Sequence, residues 1–600
     1  MEKQRHVAFW IAFPIAFAVL LAVTLFYFDL ANGPLVVFIL ALVNLALLAV
    51  INIALLRYKK RWRLIPWGVF LVVFSILFST AQTAIEPWPA VTHSNVVHTE
   101  ALQLRNGKVR GVYSEDGEVE VYAGVPYAKP PVGELRWKEP EPCADWEGVR
   151  DCDYFAPCSM QSVGGSVTNT LVDMYAEQSW HPDYRMYPFQ NTSEDSLYLN
   201  IWRPKNITGK LPILVYIHGG SLTSGSSAAK ATNGEAMAHQ GVIMITIQYR
   251  LGVFGYFAHP DLAEESPNHT TGNYGLLDQV MALRWVADNA EYFGGDKDQI
   301  TIAGESAGSS SVSALCVSPL AKGLFRYAIG ESSSIIMKNP PHTFRSYDKA
   351  KQTGVKIMEE MGCTSIEQMR ELSPERLLQT QYSNSGMTID GYALTEAPYL
   401  TYEKGENNET RLLNGYNVKE GDAFVVPGYL FNPTNKDNIR ERLLEDYPEA
   451  TVDKLLEYYK DRLENDAFSV FNEIYSIDWF IHPHDCWSRY ALNNGETVYR
   501  YQFTKENGYY GTYHSGEIIY AYGNLSRSAQ PFAYDESDHK LSATMLGYWS
   551  NFVKYGDPNG DGLPTWAPYA VKGAVQELGE NVGPIDDHYR PVYEILEAEE

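Results

Sequence analysis

The feature that most constrains the fold is a short apolar run ending in a glycine-bounded serine, at residues 299–308 (Q-I-T-I-A-G-E-S-A-G). Its first half is apolar and β-branched, which predicts a short buried strand. Gly304 and Gly308 then flank Ser306, and small residues continue to residue 314. Residues without a Cβ let the backbone pass closely where a strand turns sharply into a helix. The pattern therefore predicts a strand, a tight turn and a helix, with Ser306 exposed as a candidate nucleophile.

The sequence around this turn predicts a doubly wound α/β plan. Residues 213–217 and 242–247 are nearly all apolar, as expected for parallel strands that are covered on both faces. Leu276, Val280 and Leu283 share one face of a predicted helix. A strand, a helix and a second strand in this order are typical of parallel sheets with helices on both sides.

Three long apolar runs occupy the amino-terminal end, at residues 7–28, 34–56 and 64–85. Each is close to the roughly 20 residues that cross a bilayer as a helix. A cleaved signal peptide, the alternative, has an apolar stretch of only about 7–15 residues, and none of the runs is that short. The sequence therefore predicts an anchor of three transmembrane helices in residues 1–90 and one large domain in residues 91–600, which contains no internal repeat.

The cations predict the orientation of this anchor, because Lys and Arg that flank a span resist translocation. Lys3 and Arg5 precede the first run, five cations lie in residues 57–63, and the loop between the first two runs carries only Asp29. We therefore expect a multi-pass protein of the cell membrane, with its amino terminus in the cytoplasm and its large domain outside. Residues 1–85 carry seven basic and two acidic residues, or +5, so the net charge of −25 leaves −30 for the remainder. This charge argues against nucleic acid as a partner.

A glycine-rich turn directly follows the apolar run at residues 213–217, with the sequence His218, Gly219, Gly220, Ser221. Such a turn at the carboxyl end of a strand presents backbone N–H groups outward. Acyl transfer needs these donors for the oxygen that becomes anionic in the transition state. The turn is a candidate oxyanion loop, and a plain tight turn is the alternative.

Many runs of the large domain match one known family in order. They are Y-A-G-V-P-Y-A-K-P-P-V-G-E-L-R-W (122–137), S-E-D-S-L-Y-L-N-I-W (193–202), H-G-G-S (218–221), Y-R-L-G-V-F-G-Y-F (249–257), G-N-Y-G-L-L-D-Q (272–279), F-G-G-D (293–296), G-E-S-A-G (304–308) and F-V-K-Y-G-D-P-N (552–559). From about residue 107 to residue 569 the chain thereby resembles the type-B carboxylesterase and cholinesterase family of α/β-hydrolases. The resemblance implies an α/β-hydrolase fold, a mostly parallel sheet flanked by helices, and a serine hydrolase that needs no cofactor.

The resemblance also implies the partners of Ser306. A serine hydroxyl needs a base to take its proton, and the imidazole needs a carboxylate that fixes its tautomer. N-V-K-E-G-D-A-F at residues 417–424 is similar to the family's acid segment and indicates Glu420, with Asp422 as the nearby alternative. Y-H-S-G-E-I-I-Y-A-Y-G at residues 513–523 is similar to the family's histidine loop and indicates His514.

The family's oxyanion donors correspond to the backbone N–H groups of Gly220, Ser221 and Ala307. Ser221 stands where relatives have a third glycine, and the change is tolerable because only the N–H is used. A cysteine that relatives bridge to the position of Cys158 is replaced here by Ser196, so that disulfide cannot form. The resemblance thus implies a looser loop between these positions.

A separate cluster contains residue types that ligate metals, namely His482, His484, Asp485 and Cys486. Its segment resembles an ordinary packed helix of the family, so the sequence predicts packing here and no metal site. The six cysteines of the chain allow up to three disulfides, whose pairing the spacing does not give.

Together these observations predict a membrane-anchored serine esterase that cleaves carboxylic esters through an acyl-enzyme. Ser306 is expected to attack, His514 to relay the proton, and Glu420 to orient His514. Lipase, thioesterase or amidase chemistry stays open, because a triad does not choose the leaving group. A cholinesterase-like adhesion protein is the alternative from another class, and the complete triad argues against it. The expected partners are a small ester and the lipid bilayer.

Overall fold

The computed structural model describes residues 14–22, 24, 35–55, 65–81, 88–162, 191–384, 386–428, 433–508, 511–528, 531–571 and 573–598. The chain divides into two compact units. Residues 1–86 with residues 162–178 form one, and residues 87–161 with residues 179–600 form the other.

The described part of the first unit is helical. Its helices are Leu35–Ala54 and Ile65–Ala81, and residues 14–22 are also helical. Leu45, Leu48 and Phe70 form a small buried cluster between the two longer helices. These apolar side chains hold the two helices against each other.

No helix in the described ranges has both the length and the apolar character needed to cross a membrane. The two longer helices have 20 and 17 residues, or about 30 and 26 Å at 1.5 Å per residue. Parts of the runs at 34–56 and 64–85, and most of the run at 7–28, lie outside the described residues. The prediction of three transmembrane helices therefore finds no support in these helices.

Eleven strands form the main sheet among the described residues of the second unit. In chain order they are β1 (Val112–Tyr113), β2 (Val119–Pro126), β3 (Tyr198–Pro204), β4 (Leu211–Ile217), β5 (Ile243–Ile247), β6 (Gly295–Glu305), β7 (Tyr327–Glu331), β8 (Arg411–Asn417), β9 (Thr497–Phe503), β10 (Val575–Leu578) and β11 (Val582–Ile585). Their order across the sheet is β11-β10-β9-β8-β7-β6-β4-β5-β3-β2-β1. From β5 to β10 all neighbours are parallel, and the pairs at both ends are antiparallel.

Two smaller sheets lie outside the main sheet. One joins Leu102–Gln103, Lys108–Arg110 and Val149–Asp151, and the other pairs Cys158–Ser159 with Thr192–Ser193.

Helices occupy most connections of the second unit. They are Glu235–His239, Gly252–Tyr256, Pro260–Glu265, Tyr274–Asn289, Ala307–Val317, Tyr347–Met361, Ile366–Glu371, Pro374–Leu377, Pro398–Glu403, Asp422–Gly428, Ile439–Leu443, Glu449–Tyr458, Lys460–Ser476, His482–Asn493, Ile518–Ala521, Glu536–Tyr555 and Arg590–Glu597, with a π-helical turn at Ile477–Ile481. Helices that pack directly on the strands include Ala307–Val317, His482–Asn493 and Glu536–Tyr555. The mostly parallel sheet flanked by helices is the predicted α/β plan.

The central strands show why the sequence folds in this way. Every residue of β5 and all but the first residue of β4 are buried, which explains their unbroken apolar sequence. Gly304 pairs with Ile217, and Glu305 pairs with Glu331 on the next strand. The parallel strands therefore end together at one edge of the sheet, and open α/β sheets bind their ligands at this edge.

Candidate active site

Ser306 occupies the turn between β6 and the helix that follows. Its φ of 57° and ψ of −127° lie in a region that residues with a side chain rarely adopt. A Cβ on Gly308 would lie 2.1 Å from the Ile217 carbonyl oxygen, and one on Gly304 would lie 2.6 Å from the backbone of Gly308. Both glycines are thus required by the close approach of β4, β6 and the helix. The predicted strand, turn and helix are confirmed.

His514 is held by Glu420. Its Nδ1 lies 2.5 Å from Glu420 Oε2, and Glu420 Oε1 accepts the N–H of Asn417 at 2.6 Å. The sheet thereby fixes the carboxylate, because Asn417 is the last residue of β8. Burial raises the pKa of Glu420 to about 8, and the Asn417 N–H acts in the opposite direction. The geometry puts Glu420, and not Asp422, against the imidazole.

A second carboxylate faces the other ring nitrogen of His514. Glu305 Oε1 lies 3.3 Å from His514 Nε2 and accepts the hydroxyl of Ser515 at 2.6 Å. Ser515 has a φ of 74°, so its backbone is held in the left-handed region. Burial raises the pKa of Glu305 to about 8. The sequence-based interpretation missed this contact, although Glu305 directly precedes Ser306 and is the last residue of β6.

Ser306 and His514 do not form a hydrogen bond with each other in this structure. His514 Nε2 is buried and makes no hydrogen bond to any described residue, Ser306 included. Catalytic hydrogen bonds are often long without substrate and tighten when substrate binds. The remaining parts of a serine hydrolase site are already in place, namely the strained turn and the oriented imidazole.

The oxyanion loop is anchored by a neutral histidine. His218 Nδ1 donates to the Gly219 carbonyl at 2.9 Å, and its Nε2 accepts from Gln248 Nε2 at 3.0 Å. Gln248 Oε1 accepts the N–H of Ser227, which fixes the amide orientation. Burial lowers the pKa of His218 to about 4, in agreement with this neutral tautomer. Tyr249 stacks on the ring at 4.5 Å, so the loop starts from a rigid base.

The loop passes directly beside the nucleophile. A Cβ on Gly219 would lie 2.6 Å from the Glu305 carbonyl oxygen and 3.0 Å from Ser306 Cβ, so glycine is required there. The N–H groups of Gly220, Ser221 and Ala307 donate to no atom in the described part of the chain. Ala307 opens its helix, where the first N–H groups have no partner within the helix. The three predicted donors are therefore free to bind an anion.

The whole chain was compared with known proteins. The profile described as carboxylesterase family matches residues 95–592. This chain belongs to the carboxylesterase family. It is 33% identical to carboxylesterase 1C of Rattus norvegicus over 521 residues, which cover 80% of this chain and 89% of the relative. It is 30% identical over 499 residues to the fumonisin B1 esterase of Sphingopyxis macrogoltabida, covering 80% of this chain and 86% of that protein.

A solved structure agrees with these relatives. The carboxylesterase EST55 of Geobacillus stearothermophilus has a TM-score of 0.71 and 29% identity, over 83% of this chain and 100% of that chain. The α/β-hydrolase fold is thereby confirmed. The carboxylesterase described here is a serine hydrolase that cleaves carboxylic esters.

Variants of Ser221 test whether its backbone N–H or its hydroxyl serves the candidate oxyanion loop. Its side chain is exposed and its φ is 54°, so glycine fits the backbone better than serine does. We expect Ser221→Gly and Ser221→Ala to keep kcat within a few-fold, because neither removes the N–H. Steady-state hydrolysis of a chromogenic ester measures the effect.

The contrary result would be a loss of about 10²–10³ in kcat for Ser221→Ala, the usual effect of losing one oxyanion donor. The hydroxyl would then be the donor. Proline at this position is a poor test, because its φ is fixed near −65° and cannot match the observed value.

An aromatic wall, formed by Phe424, Trp479 and Phe480, borders His514. The rings of Phe424 and Phe480 lie 5.1 and 4.7 Å from that of His514, and 5.3 Å from each other. Phe424 is 37% exposed although it is a large apolar side chain. The wall thus presents apolar surface next to the base.

Two serines and two short paired strands join the segments on either side of residues 163–190, where the family resemblance implied that a disulfide is missing. The Oγ atoms of Ser159 and Ser196 are 2.9 Å apart, and Ser159 Oγ donates to the Tyr249 carbonyl at 2.6 Å. Cys158 pairs with Thr192 in the two-stranded sheet. All six cysteines, each within the described ranges, are unbridged. These contacts join the two ends of the loop without a covalent link, and the loop itself, at residues 163–190, lies outside the described residues, so the expectation of a looser loop stays a prediction.

The His482 cluster lies in the helix His482–Asn493 and supplies no residue to the triad. His484 Nε2 accepts the N–H of Ser333 at 2.7 Å, and Asp485 pairs with Arg500 at 2.7 Å. These two residues have packing roles, as the sequence predicted for this segment.

Proposed function

We propose that this carboxylesterase hydrolyses esters through Ser306, His514 and Glu420. The observation that carries the assignment is the 2.5 Å contact between His514 Nδ1 and Glu420 Oε2 beside the strained Ser306 turn. A carboxylate at Nδ1 holds the proton there and leaves Nε2 as the base that faces the nucleophile.

The reaction then has two steps. Ser306 Oγ attacks the ester carbonyl while His514 Nε2 takes its proton, and the resulting oxyanion accepts from the N–H groups of Gly220, Ser221 and Ala307. Collapse of this intermediate expels the alcohol, which receives the proton from His514. Water then attacks the acyl-enzyme while His514 takes its proton. The acid is released, and the proton returns to Ser306 Oγ.

We also propose that the aromatic wall favours esters with an apolar group next to the scissile carbonyl. Exposed aromatic surface beside the base gains free energy when it is covered by an apolar substrate group, at about 25 cal/mol per Å². Polar groups at the same place would lose water without gaining a hydrogen bond.

A panel of esters, thioesters and amides with graded acyl groups tests this preference. We expect kcat/KM to rise as the acyl group grows from acetyl to butyryl or phenyl, by about 10-fold for each 1.4 kcal/mol of added transition-state binding. Oxygen esters should exceed amides of the same acyl group. A fall in kcat/KM with each added methylene, or faster amide hydrolysis, would contradict the proposal.

Attachment to a membrane, with the catalytic unit outside the cell, is the proposed location. Its support is the apolar composition of residues 1–86, the cations at 57–63, and the apolar side chains exposed along the helix Leu35–Ala54, including Leu40, Leu47 and Val50. Exposed apolar surface of this extent marks an interaction site.

We expect the full-length protein to stay in the membrane pellet after alkaline carbonate washing. Protease added to intact cells should release a catalytic fragment of about the size of residues 87–600. An ester that cannot cross the membrane should be hydrolysed without lysis. Activity that appears only after lysis would place the catalytic unit on the other side.

A further inference from the structure

Three ligand-type side chains meet outside the active site. His482 and Cys486 lie one turn apart on the helix His482–Asn493, and Glu597 belongs to the last helix, Arg590–Glu597. His482 Nε2 is 3.3 Å from Cys486 Sγ and 2.9 Å from Glu597 Oε1, and Sγ and Oε1 are 3.9 Å apart. One nitrogen, one sulfur and one oxygen atom thus form a small triangle.

We infer that His482, Cys486 and Glu597 bind a zinc ion. Zinc bonds measure about 2.0 Å to nitrogen or oxygen and about 2.3 Å to sulfur, and structural sites are tetrahedral. Neighbouring ligand atoms of such a site therefore lie roughly 3.3–3.6 Å apart. The distances here are 2.9 Å, which is below that range, 3.3 Å, which is at its lower end, and 3.9 Å, which is above it. An imidazole, thiolate and carboxylate set favours zinc over calcium or magnesium, which prefer oxygen ligands.

The surrounding charges suit a divalent cation. Arg489 contacts Glu597 and lies 3.4 Å from Cys486 Sγ, but its Nε also donates to Asp485 Oδ2 at 2.8 Å. Asp485 is shared by Arg489 and Arg500, and Arg500 also pairs with Asp587 at 3.2 Å. The Cys486 thiolate and the Glu597 carboxylate would supply the two negative charges that balance zinc. Arg489 can keep its hydrogen bonds as an outer donor to both anionic ligands.

The alternative is an ion-pair cluster in which His482 is protonated. His482 is fully buried, and its Nδ1 has no hydrogen-bond partner among the described residues. An imidazolium would bury an unsatisfied charged donor there, which is costly. Zinc on Nε2 would leave the ring neutral, so the Nδ1 N–H would be an uncharged donor, and an uncharged buried donor costs less than a charged one.

Such a zinc site would join the end of the chain to the active-site region. The helix that carries His482 and Cys486 starts directly after the π-helical turn Ile477–Ile481, and Phe480 in that turn contacts His514. Turns of this type often mark functional positions. Zinc would hold the last helix against the segment that bears the aromatic wall.

Metal binding by the full-length protein tests the site, with a purification tag that contains no histidine. After chelator treatment and dialysis against zinc, we expect about one zinc per chain by mass spectrometry. Cobalt should give a thiolate charge-transfer band in the near ultraviolet. Cys486→Ser should abolish this band and weaken zinc binding by at least about 100-fold, since changes to outer-shell partners alone cost 10–100-fold.

Cys143→Ser is the matched control, because this half-buried thiol lies in the same unit and should leave zinc binding unchanged. Glu597→Gln, which alters only the last helix, provides a second variant if Cys486→Ser does not fold, and should weaken zinc binding likewise. Circular dichroism reports that each variant is folded. Wild-type protein that binds no stoichiometric zinc, or equal binding in the ligand variants, would overturn the site.

Discussion

Replacement of Ser306 by alanine is expected to lower kcat for ester hydrolysis by roughly 10⁶-fold, the loss seen when a triad serine is removed. The physical reason is that no other hydroxyl among the described residues combines the strand-to-helix turn with the free N–H groups of the oxyanion loop. Labelling by a fluorophosphonate should disappear with the activity, because it requires the same attack by Oγ. Steady-state ester hydrolysis measures kcat, and mass spectrometry of the full-length protein measures the label.

Ser311→Ala is the matched control for this change. Ser311 lies in the following helix, where its hydroxyl donates to the Ala307 carbonyl at 2.9 Å and accepts from Gln279 at 3.0 Å. The control thus removes a buried hydroxyl close to the site without touching the turn. It should keep the label and most of the turnover. If Ser306→Ala still reacted with the fluorophosphonate, another residue would be the nucleophile.

The strained backbone of Ser306 explains why the sequence around it is so restrictive. Rare backbone conformations cost about 1–3 kcal/mol and persist only where the surroundings enforce them. Here the Ser306 N–H donates to the Glu331 carbonyl at 2.8 Å, and Gly304 and Gly308 let three backbone segments approach. Because each of these requirements fixes a residue type, the turn could be predicted from ten residues of sequence.

The sheet was predictable for a related reason. Strands β4 and β5 are covered on both faces, so nearly every position had to be apolar and the pattern was unambiguous. The antiparallel additions at the two ends of the sheet left no comparable signal. β1 has two residues and β11 has four, and such short strands carry no periodicity that a sequence can reveal.

Contacts between distant parts of the chain were harder to predict. Glu305 Oε1 lies 3.3 Å from His514 Nε2 although the two residues are far apart in the chain, so this contact follows only from the folded arrangement of β6 and the histidine loop. At the amino-terminal end, hydropathy correctly marked the helical segments Leu35–Ala54 and Ile65–Ala81, and most of the residues that flank them in the apolar runs lie outside the described ranges.

The choice between Glu420 and Asp422 gives the second large effect. Glu420→Gln is expected to lower kcat by about 10⁴-fold, the loss found when a triad acid becomes an amide. The Asn417 N–H already donates to Oε1, so a glutamine would keep its oxygen there and turn its NH₂ group toward His514 Nδ1. Nδ1 would then have to accept, and the ring proton would move to Nε2. The base that Ser306 needs would be lost while the geometry stays intact.

Asp422→Asn is the comparison that separates the two acids. Asp422 lies two residues away, in the first turn of the helix Asp422–Gly428, and its carboxylate is absent from the contacts of His514. We expect this variant to keep kcat within a few-fold, with unchanged circular dichroism for both proteins. The nitrogen chemical shifts of His514 give a further readout, since they should show Nε2 protonated in Glu420→Gln and Nδ1 protonated in Asp422→Asn. Equal losses of kcat in the two variants, or the reverse pattern, would assign the triad acid to Asp422.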